Sequence, residues 1–458
     1  MKRFDAVVIG AGQAGPPLAR RLAAAGKTVA IVERKLFGGT CVNTGCMPTK
    51  TLVASARVAH VVRRAASYGV TVPGPLEFDL RRAKARADAV STDARQGVES
   101  SLRDTAGVTV IEGHARFTSR DTIEVGEDVL SAERIFLDVG GRARLPRIAG
   151  IEEVPHLTNA SILQLESLPR HLVIIGGGYV GLEFAQMYRR FGSDVTIVEM
   201  GPRVAAREDE DVSSAISGIL EGEGIQVRVR AECISVSSDR QGVTARLDCD
   251  AGDRTVTGSH LLLAAGRRPN TDDLDLDRAG VAVDARGYIR VDDFLRTNVE
   301  GIWALGECNG RGAFTHTAYN DYQIAVANLL EGDPRKVSDR IEAYALYIDP
   351  PLGRVGLTDH EARKTGRALL HGKRPMTRVG RAVEKDETQG FMKAVVDAET
   401  KKIVGATILG TGGDEAIHGI LDAMYAGATS TTLARSVGIH PTVSELVPTL
   451  FGELRPLT

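Results

Sequence analysis

The chain has no long apolar run, no surplus of charge of either sign and only five cysteines. Each shortage removes a class of function. Nothing approaches the ~18 consecutive apolar residues of a membrane-spanning helix, so no membrane partner is expected. Lys and Arg number 57 against 59 Asp and Glu, a formal net charge of −2. Binding a phosphate backbone requires a basic surplus, so no nucleic-acid partner is expected either. The start, MKRFDAVVIGAG, runs straight into a β-branched stretch and carries Asp5, unlike a secretory leader. A cytoplasmic location is the expectation. Cys41, Cys46, Cys233, Cys249 and Cys308 are too few and too scattered for a secreted disulfide framework. No second Cys or His pair has ligand spacing, so no metal site is expected. Low-complexity segments and long linkers are also absent.

What is present is a 458-residue chain with 43% hydrophobic and 25% charged residues, an ordinary globular balance long enough for about three domains. Fifty glycines suit tight turns and cofactor loops. The strongest organising signal is an internal echo. DAVVIGAGQAGPPLARRLAAAGKTVAIVER is answered by HLVIIGGGYVGLEFAQMYRRFGSDVTIVEM. Each copy reads as strand, glycine loop, helix and second strand. Each ends on an acid, Glu33 or Glu199, at the same offset past its loop. Two Rossmann-like nucleotide units are therefore predicted. LVASARVAHVVRRAA and LRRAKARADAVSTDARQGVESSL predict long helices between residues 51 and 104. TNVEGIWALGECNG (297–310) predicts a strand returning to the first unit. From about 340 onward, mixed strands and helices without a nucleotide fingerprint predict a separate α+β domain.

In the first loop, Gly10 permits the tight turn, Gly12 lets the backbone approach a diphosphate, and Gly15 allows close helix packing. The following helix terminus attracts phosphate, and Glu33 would accept hydrogen bonds from a ribose. The second loop, Gly176, Gly178 and Gly181 with Glu199, repeats this. An acid there favours a free 2′-hydroxyl, which points to NADH. Arg203 and Arg207 lie near enough to offset that preference, leaving NADPH as a second donor; the alternative is that both are solvated surface arginines.

Cys41 and Cys46 lie in GGTCVNTGCMPTK, just after the first fingerprint. Within one helical turn their sulfurs would sit on neighbouring faces, close enough to bridge. Pro48 suits a first helical turn, whose partial positive charge, with Lys50, would stabilise a thiolate. Buried inert thiols and metal binding are the competing readings. His440 and Glu445 pair an imidazole with a carboxylate in HPTVSE, which suits proton transfer, although an isolated His–Glu pair is usually structural. Cys233 and Cys249 read as packing residues. Cys308 has no obvious resolving partner.

Taken together, these segments resemble the class I pyridine nucleotide-disulfide oxidoreductases, the group of dihydrolipoamide dehydrogenase, glutathione reductase and mercuric reductase. The resemblance covers essentially the whole chain in family order. It implies an α/β fold with two Rossmann-like nucleotide-binding domains plus a C-terminal α+β dimerisation domain. The implied division is an FAD-binding domain with the redox disulfide at 1–150, an NAD(P)H-binding domain at 151–270, a return segment at 271–338 and a dimerisation domain at 339–458. GAGQAG with Glu33 looks like the FAD site, and GGGYVGLEFA like the nicotinamide nucleotide site. AAGRRPN and TNVEGIWALGE look like later flavin-domain signatures; an earlier one is altered to Asp138-Val-Gly140-Gly141.

Residue by residue, the resemblance implies that Cys46 is the flavin-proximal thiol and Cys41 the interchange thiol. Lys50 and Glu183 would pair beside the flavin, and Tyr179 would gate the nicotinamide pocket. Glu307 stands where the family usually has an Asp at the flavin ribityl chain. Thr40, Ala115 and Gly266 would add cofactor contacts. His440 and Glu445 would be donated by one subunit of a homodimer to the site of the other. CVNTGCMPTKTLV, FTHTAYNDYQIA (314–325) and the short tail look most like bacterial reactive-chlorine-resistance flavoproteins, which reduce hypothiocyanous acid. Arg63 and Arg64 could favour small anions at the entrance or simply be solvated.

The expected enzyme thus transfers electrons from NADH through FAD and the Cys41–Cys46 disulfide to a small oxidant, a metal ion or a low-molecular-weight disulfide. The alternatives are a dihydrolipoamide dehydrogenase, a mercuric reductase and, in another class, a non-catalytic flavin redox sensor. The missing C-terminal cysteine pair and the presence of His440 speak against the mercuric reductase.

Overall fold

The computed structural model describes residues 1–240, 242–249 and 252–457. β1 (Lys2–Ile9) opens the chain. Its run Ala6–Ile9 is wholly buried because a parallel sheet is covered on both faces. Alternation sends Val7 and Ile9 to one core and Ala6 and Val8 to the other. α1 (Gly15–Ala24) follows, with Pro16 in the first turn, where its missing N–H leaves no helical bond unmade. Next come β2 (Val29–Glu33), α2 (Gly39–Thr44) and α3 (Cys46–Arg63). α4 (Leu80–Arg103) starts where the Asp79 side chain accepts the Arg82 N–H at 3.0 Å. β3 (Val108–Glu112), β4 (Ala115–Ser119), β5 (Thr122–Val125) and β6 (Asp128–Leu137) complete a sheet of order β3-β2-β1-β6-β5-β4. β1, β2, β3 and β6 run parallel, while β4 and β5 form an antiparallel flap.

β7 (Gly141–Ala143) leads toward the second unit, which contains β8 (His171–Ile175), α5 (Tyr179–Phe191), β9 (Asp194–Val198), α6 (Glu210–Gly222) and β10 (Gln226–Arg228). An antiparallel insert of β11 (Ala231–Asp239), β12 (Gly242–Cys249) and β13 (Thr255–Gly258) precedes β14 (His260–Leu263). The parallel sheet β10-β9-β8-β14 repeats the Rossmann arrangement. Cys233 and Cys249 pack against the core beneath this insert. β15 (Arg267–Pro269) pairs with β7. β16 (Ile302–Ala304) joins the first sheet parallel to β6, the return that the sequence predicts. Cys308, just beyond it, is fully buried.

α7 (Thr315–Val326) leads to the last region. There β17 (Ala343–Leu346), β18 (Leu352–Gly356), β19 (Leu369–Pro375), β20 (Phe391–Asp397), β21 (Ile403–Leu409) and β22 (Arg455–Pro456) form an antiparallel sheet ordered β17-β18-β21-β20-β19-β22. The helix Gly413–Tyr425 lies against it so closely that a Cβ on Gly353 would stand 2.3 Å from the Gly413 carbonyl oxygen. The fold is mixed α/β with an α+β C-terminal region, as expected.

α3 is the element that positions the site. Leu52 and Ala56 on its inner face enter one continuous core with Leu182 and Phe184 of α5 and with Leu346 and Phe391 of the last sheet. Arg57 carries the connection further, donating to Asp349 at 2.5 Å and to Glu387 at 2.6 Å. Among the described residues, no helix is long and apolar enough to cross a membrane.

Candidate active site

Cys41 lies in α2 and Cys46 opens α3, so they do not share one helical turn as the spacing suggested. Gly45 breaks the helix between them with φ −136° and ψ −121°. A Cβ there would meet the Thr40 carbonyl oxygen at 2.7 Å. The break folds the Cys46 end of α3 back toward Cys41, and the two thiols hydrogen-bond each other as free cysteines. Cys46 is pulled down to about 6, first by the hydrogen bond from Cys41, then by the Thr315 hydroxyl and the Lys50 ammonium, against desolvation and the Glu183 carboxylate. Its Sγ is 3.3 Å from Thr315 Oγ1. Cys41 moves strongly upward because its proton serves Cys46 and because it is partly buried. These influences favour charge on Cys46 and the proton on Cys41, and the helix terminus acts in the same direction on Cys46.

Lys50 Nζ donates to Glu183 Oε2 at 2.6 Å and lies 4.8 Å from the centre of the Tyr347 ring. The other Glu183 oxygen accepts the Tyr347 N–H at 3.0 Å. The pair joins the start of α3 to α5, as expected. Tyr179, at the start of α5, is held by partners that sequence reading missed. Its hydroxyl donates to Glu208 Oε1, which also accepts the Tyr344 hydroxyl at 2.8 Å. Burial and the Glu208 charge push the Tyr179 phenol far up, so it remains a donor. Arg354 approaches Glu208 at 3.4 Å from the last sheet, and both side chains are essentially inaccessible. The Tyr344 ring also stacks on Phe314, centres 5.6 Å apart. No local pattern marks Glu208, which sits in an unremarkable acidic run.

Both glycine loops are shaped for dinucleotides. A Cβ on Gly10 (φ +104°) would lie 2.2 Å from the Asp138 carbonyl oxygen, and one on Gly15 would lie 2.3 Å from the Gly10 oxygen. In the second loop, Gly176 and Gly181 are closed in the same way at 2.5 Å and 2.1 Å, while Gly178 faces open space. Backbone this bare can approach a diphosphate closely, so the residues present fit FAD at the first loop and a nicotinamide nucleotide at the second. Glu33 accepts the Ala11 N–H at 2.9 Å and the Lys35 N–H at 2.8 Å. Glu199 accepts the N–H groups of Gly177 and Gly201, both at 2.7 Å. Each acid fixes its turn and retains further lone pairs.

The remaining expected contacts are scattered. Thr40 Oγ1 donates to the Gly141 oxygen at 3.5 Å. Ala115 is the buried first residue of β4, and Gly266 (φ +99°) borders open space. Glu307 carries a partner that the sequence did not reveal. Arg267 forks onto its carboxylate at 2.6 and 2.8 Å and also donates to the Gly141 oxygen at 2.7 Å. Neither arginine of the Arg63–Arg64 pair points its charge at the cysteines. Arg63 donates to the Arg190 carbonyl oxygen and Arg64 to Asp386, so the reading of an anion entrance is corrected to structural contacts between regions. Arg203 is half-buried, and Arg207 lines a cleft of about 480 Å³ with Arg286 and Arg311. His440 Nδ1 lies 2.9 Å from Glu445 Oε2. The described residues include no cluster of three or more metal-ligating side chains.

Comparison with known proteins agrees with this geometry. The pyridine nucleotide-disulphide oxidoreductase family matches residues 4–321, and its dimerisation domain matches 343–451, which supports a homodimer. The probable pyridine nucleotide-disulfide oxidoreductase RclA of Escherichia coli is 35% identical, over 99% of both chains. A dihydrolipoyl dehydrogenase of Zymomonas mobilis is 34% identical over 96% of each. A mercuric reductase of Bacillus cereus is 30% identical over 96% of this chain and 70% of its own length. The solved Cu(II) complex of HOCl-induced flavoprotein disulfide reductase RclA superposes with a TM-score of 0.90 at 34% identity, covering 99% of each chain. The chain belongs to the pyridine nucleotide-disulphide oxidoreductases, flavoenzymes that use FAD and take electrons from NAD(P)H.

Proposed function

We propose that this chain reduces a small oxidised-sulfur or oxyacid acceptor of the hypothiocyanous acid kind, with NADH as donor and Cys41–Cys46 as the working dithiol. The observation that carries the reading is the unequal setting of the two free cysteines, with Cys46 opening α3 at 3.3 Å from the Thr315 hydroxyl and Lys50, held by Glu183, one turn along the same helix, a setting that lowers Cys46 and raises Cys41. The likeness to a reductase described as HOCl-induced favours an oxidant over a lipoyl group. FAD, when bound, supplies the two-electron relay between nicotinamide and sulfur. A cytoplasmic location, where glutathione and thioredoxin systems keep thiols reduced, fits a working dithiol.

The residues then divide the work. Lys50, fixed by Glu183, keeps positive charge beside Cys46. Tyr179 closes the nicotinamide side until the donor arrives. Glu33 and Glu199 orient the two riboses. Cys41 is a poor nucleophile while protonated, so it needs a base, and we assign that role to His440 of the partner subunit, oriented by the partner subunit's Glu445. Deprotonated Cys41 attacks the sulfur of hypothiocyanous acid. The S–O bond breaks, and the departing hydroxide takes the proton back from the imidazolium and leaves as water. Cys46 then attacks the Cys41 sulfur, thiocyanate leaves with the S–S bonding pair, and the Cys41–Cys46 disulfide forms. Two electrons have passed from the dithiol to the acceptor.

A steady-state screen with NADH against hypothiocyanous acid, Hg(II), Cu(II), glutathione disulfide and lipoamide tests this. The expected result is the highest kcat/KM with hypothiocyanous acid and loss of that turnover in Cys41→Ser. Dominance of lipoamide would make the chain a dihydrolipoamide dehydrogenase. Preference for Cu(II) is the second reading, favoured by the similar structure solved as a Cu(II) complex.

A further inference from the structure

Asp138 follows the last residue of β6 and opens the altered flavin signature, and its carboxyl group turns into the first dinucleotide loop. Asp138 Oδ2 accepts the Gly15 N–H at 2.7 Å, and the Ala14 N–H also points to it. A Cβ on Gly12 would stand 2.9 Å from the same oxygen, and one on Gly306 would stand 3.2 Å from Oδ1. The group is thus wedged between the diphosphate loop and the later flavin signature. It is 6% exposed. Among the described residues, no lysine, arginine or histidine forms an ion pair with it. The charged groups that face it are acids. Glu33 approaches from β2, and Asp321, tied to Arg340, approaches from α7. The buried Cys308 thiol adds no cation.

We propose that Asp138 is a positioning residue of the FAD site that works as the neutral acid, and that its ionisation loosens the cofactor. The N-terminus of α1 offers N–H groups and partial positive charge to a diphosphate. As an anion, Asp138 would occupy part of that terminus and repel the phosphates. As an acid, its carbonyl oxygen still accepts the Gly15 N–H and holds the loop in shape without competing charge. Burial favours this form, pushing the carboxyl to about 8 against the two backbone N–H groups, with Glu33 and Asp321 adding to the rise. Bringing a diphosphate close raises it further, so FAD binding takes up a proton above about pH 8 and affinity falls as pH rises. Cys46, with its midpoint near 6, has finished titrating before this window opens.

The test is titration of apoprotein with FAD between about pH 6 and pH 9, read by quenching of FAD fluorescence, with circular dichroism confirming the fold. In the wild type the dissociation constant should be flat below about pH 7. Above about pH 8 it should rise, approaching tenfold per pH unit for one coupled proton. D138N keeps the hydrogen-bond acceptor without the charge and should bind FAD at every pH with no such rise. A flat wild-type curve, or the same rise in D138N, overturns the proposal. If D138N does not fold, the infrared carbonyl stretch of a protonated carboxylic acid decides. It should be present in wild-type apoprotein at pH 6 and vanish by pH 9, and its absence at pH 6 overturns the proposal.

Discussion

His440 Nδ1 and Glu445 Oε2 lie 2.9 Å apart, yet the His440 side chain is 78% exposed while that of Glu445 is only 14% exposed. The carboxylate is built into the fold and the imidazole is presented outward. Val437 and Ile439 beside it are also exposed, at 96% and 79%. An apolar, outward-facing segment with a fixed imidazole is what a site completed by a second subunit requires. His440→Ala should therefore slow acceptor turnover by about 10²- to 10⁴-fold, the usual range for lost acid–base help. Flavin reduction by NADH, followed anaerobically, should stay near normal. Mixed dimers of Cys41→Ser and His440→Ala chains should regain part of the activity. Heterodimers that form and stay inactive would disprove the shared site.

The Cys41 thiol is the largest cause of the low Cys46 midpoint. Thiolate absorbance of the reduced protein should therefore be lost as pH falls through about 6, and this step should be missing in Cys46→Ser. Replacing Cys41 by Ala removes the donor, so the Cys46 midpoint should move upward. Lys50→Met should move it the same way by a smaller amount. A midpoint unchanged in both variants would leave the helix terminus as the dominant influence.

Tyr179 is tethered to the last sheet through Glu208, Tyr344 and Arg354. If Tyr179 gates the nicotinamide pocket, its opening breaks a buried hydrogen bond to a carboxylate, worth roughly 1.5–3 kcal/mol. Tyr179→Phe keeps the ring and removes the tether. It should speed anaerobic flavin reduction by NADH, and it should raise oxygen consumption in the absence of acceptor. Equal rates in wild type and Tyr179→Phe would show that the ring moves without regard to its hydroxyl.

Glu199 accepts two backbone N–H groups at the end of β9 in the second nucleotide unit, and a ribose bound there would bring a 2′-phosphate against it. NADH should be preferred by about tenfold in kcat/KM, equivalent to ~1.4 kcal/mol. Glu199→Ala should narrow the gap. Preference of the wild type for NADPH would mean that Arg203 or Arg207 outweighs the acid.

The contiguous motifs were legible because their chemistry is local. The glycine loops, Cys41 and Cys46, Lys50 and the His440–Glu445 pair each lie in a short run whose spacing implies its shape. Even so, a single Gly45 turned one expected helical turn into two helices. Lys50 and Glu183 were readable as partners only through resemblance. What stayed hidden depends on distant chain segments meeting. Glu208 acquires meaning from Tyr179 and Tyr344, Glu307 from Arg267, and Thr315 from Cys46. Asp138 was visible as an irregular signature, but its burial among acids follows from packing β6 against two loops. Arg63 and Arg64 looked free because nothing in their neighbourhood announces Arg190 or Asp386.

α3 begins at the redox sulfur and touches every region of the molecule, through Leu52 and Ala56 in a common core and through Arg57 bridging Asp349 and Glu387. No lobe can depart without stripping contacts from that one rod. Heat and denaturant should meet a single cooperative unit rather than a chain of separable modules. Excising the nucleotide-binding half as a fragment should leave α3 with an unsatisfied apolar flank and two unpaired guanidinium contacts, and the cysteines would lose the rigid mount that sets them unequally.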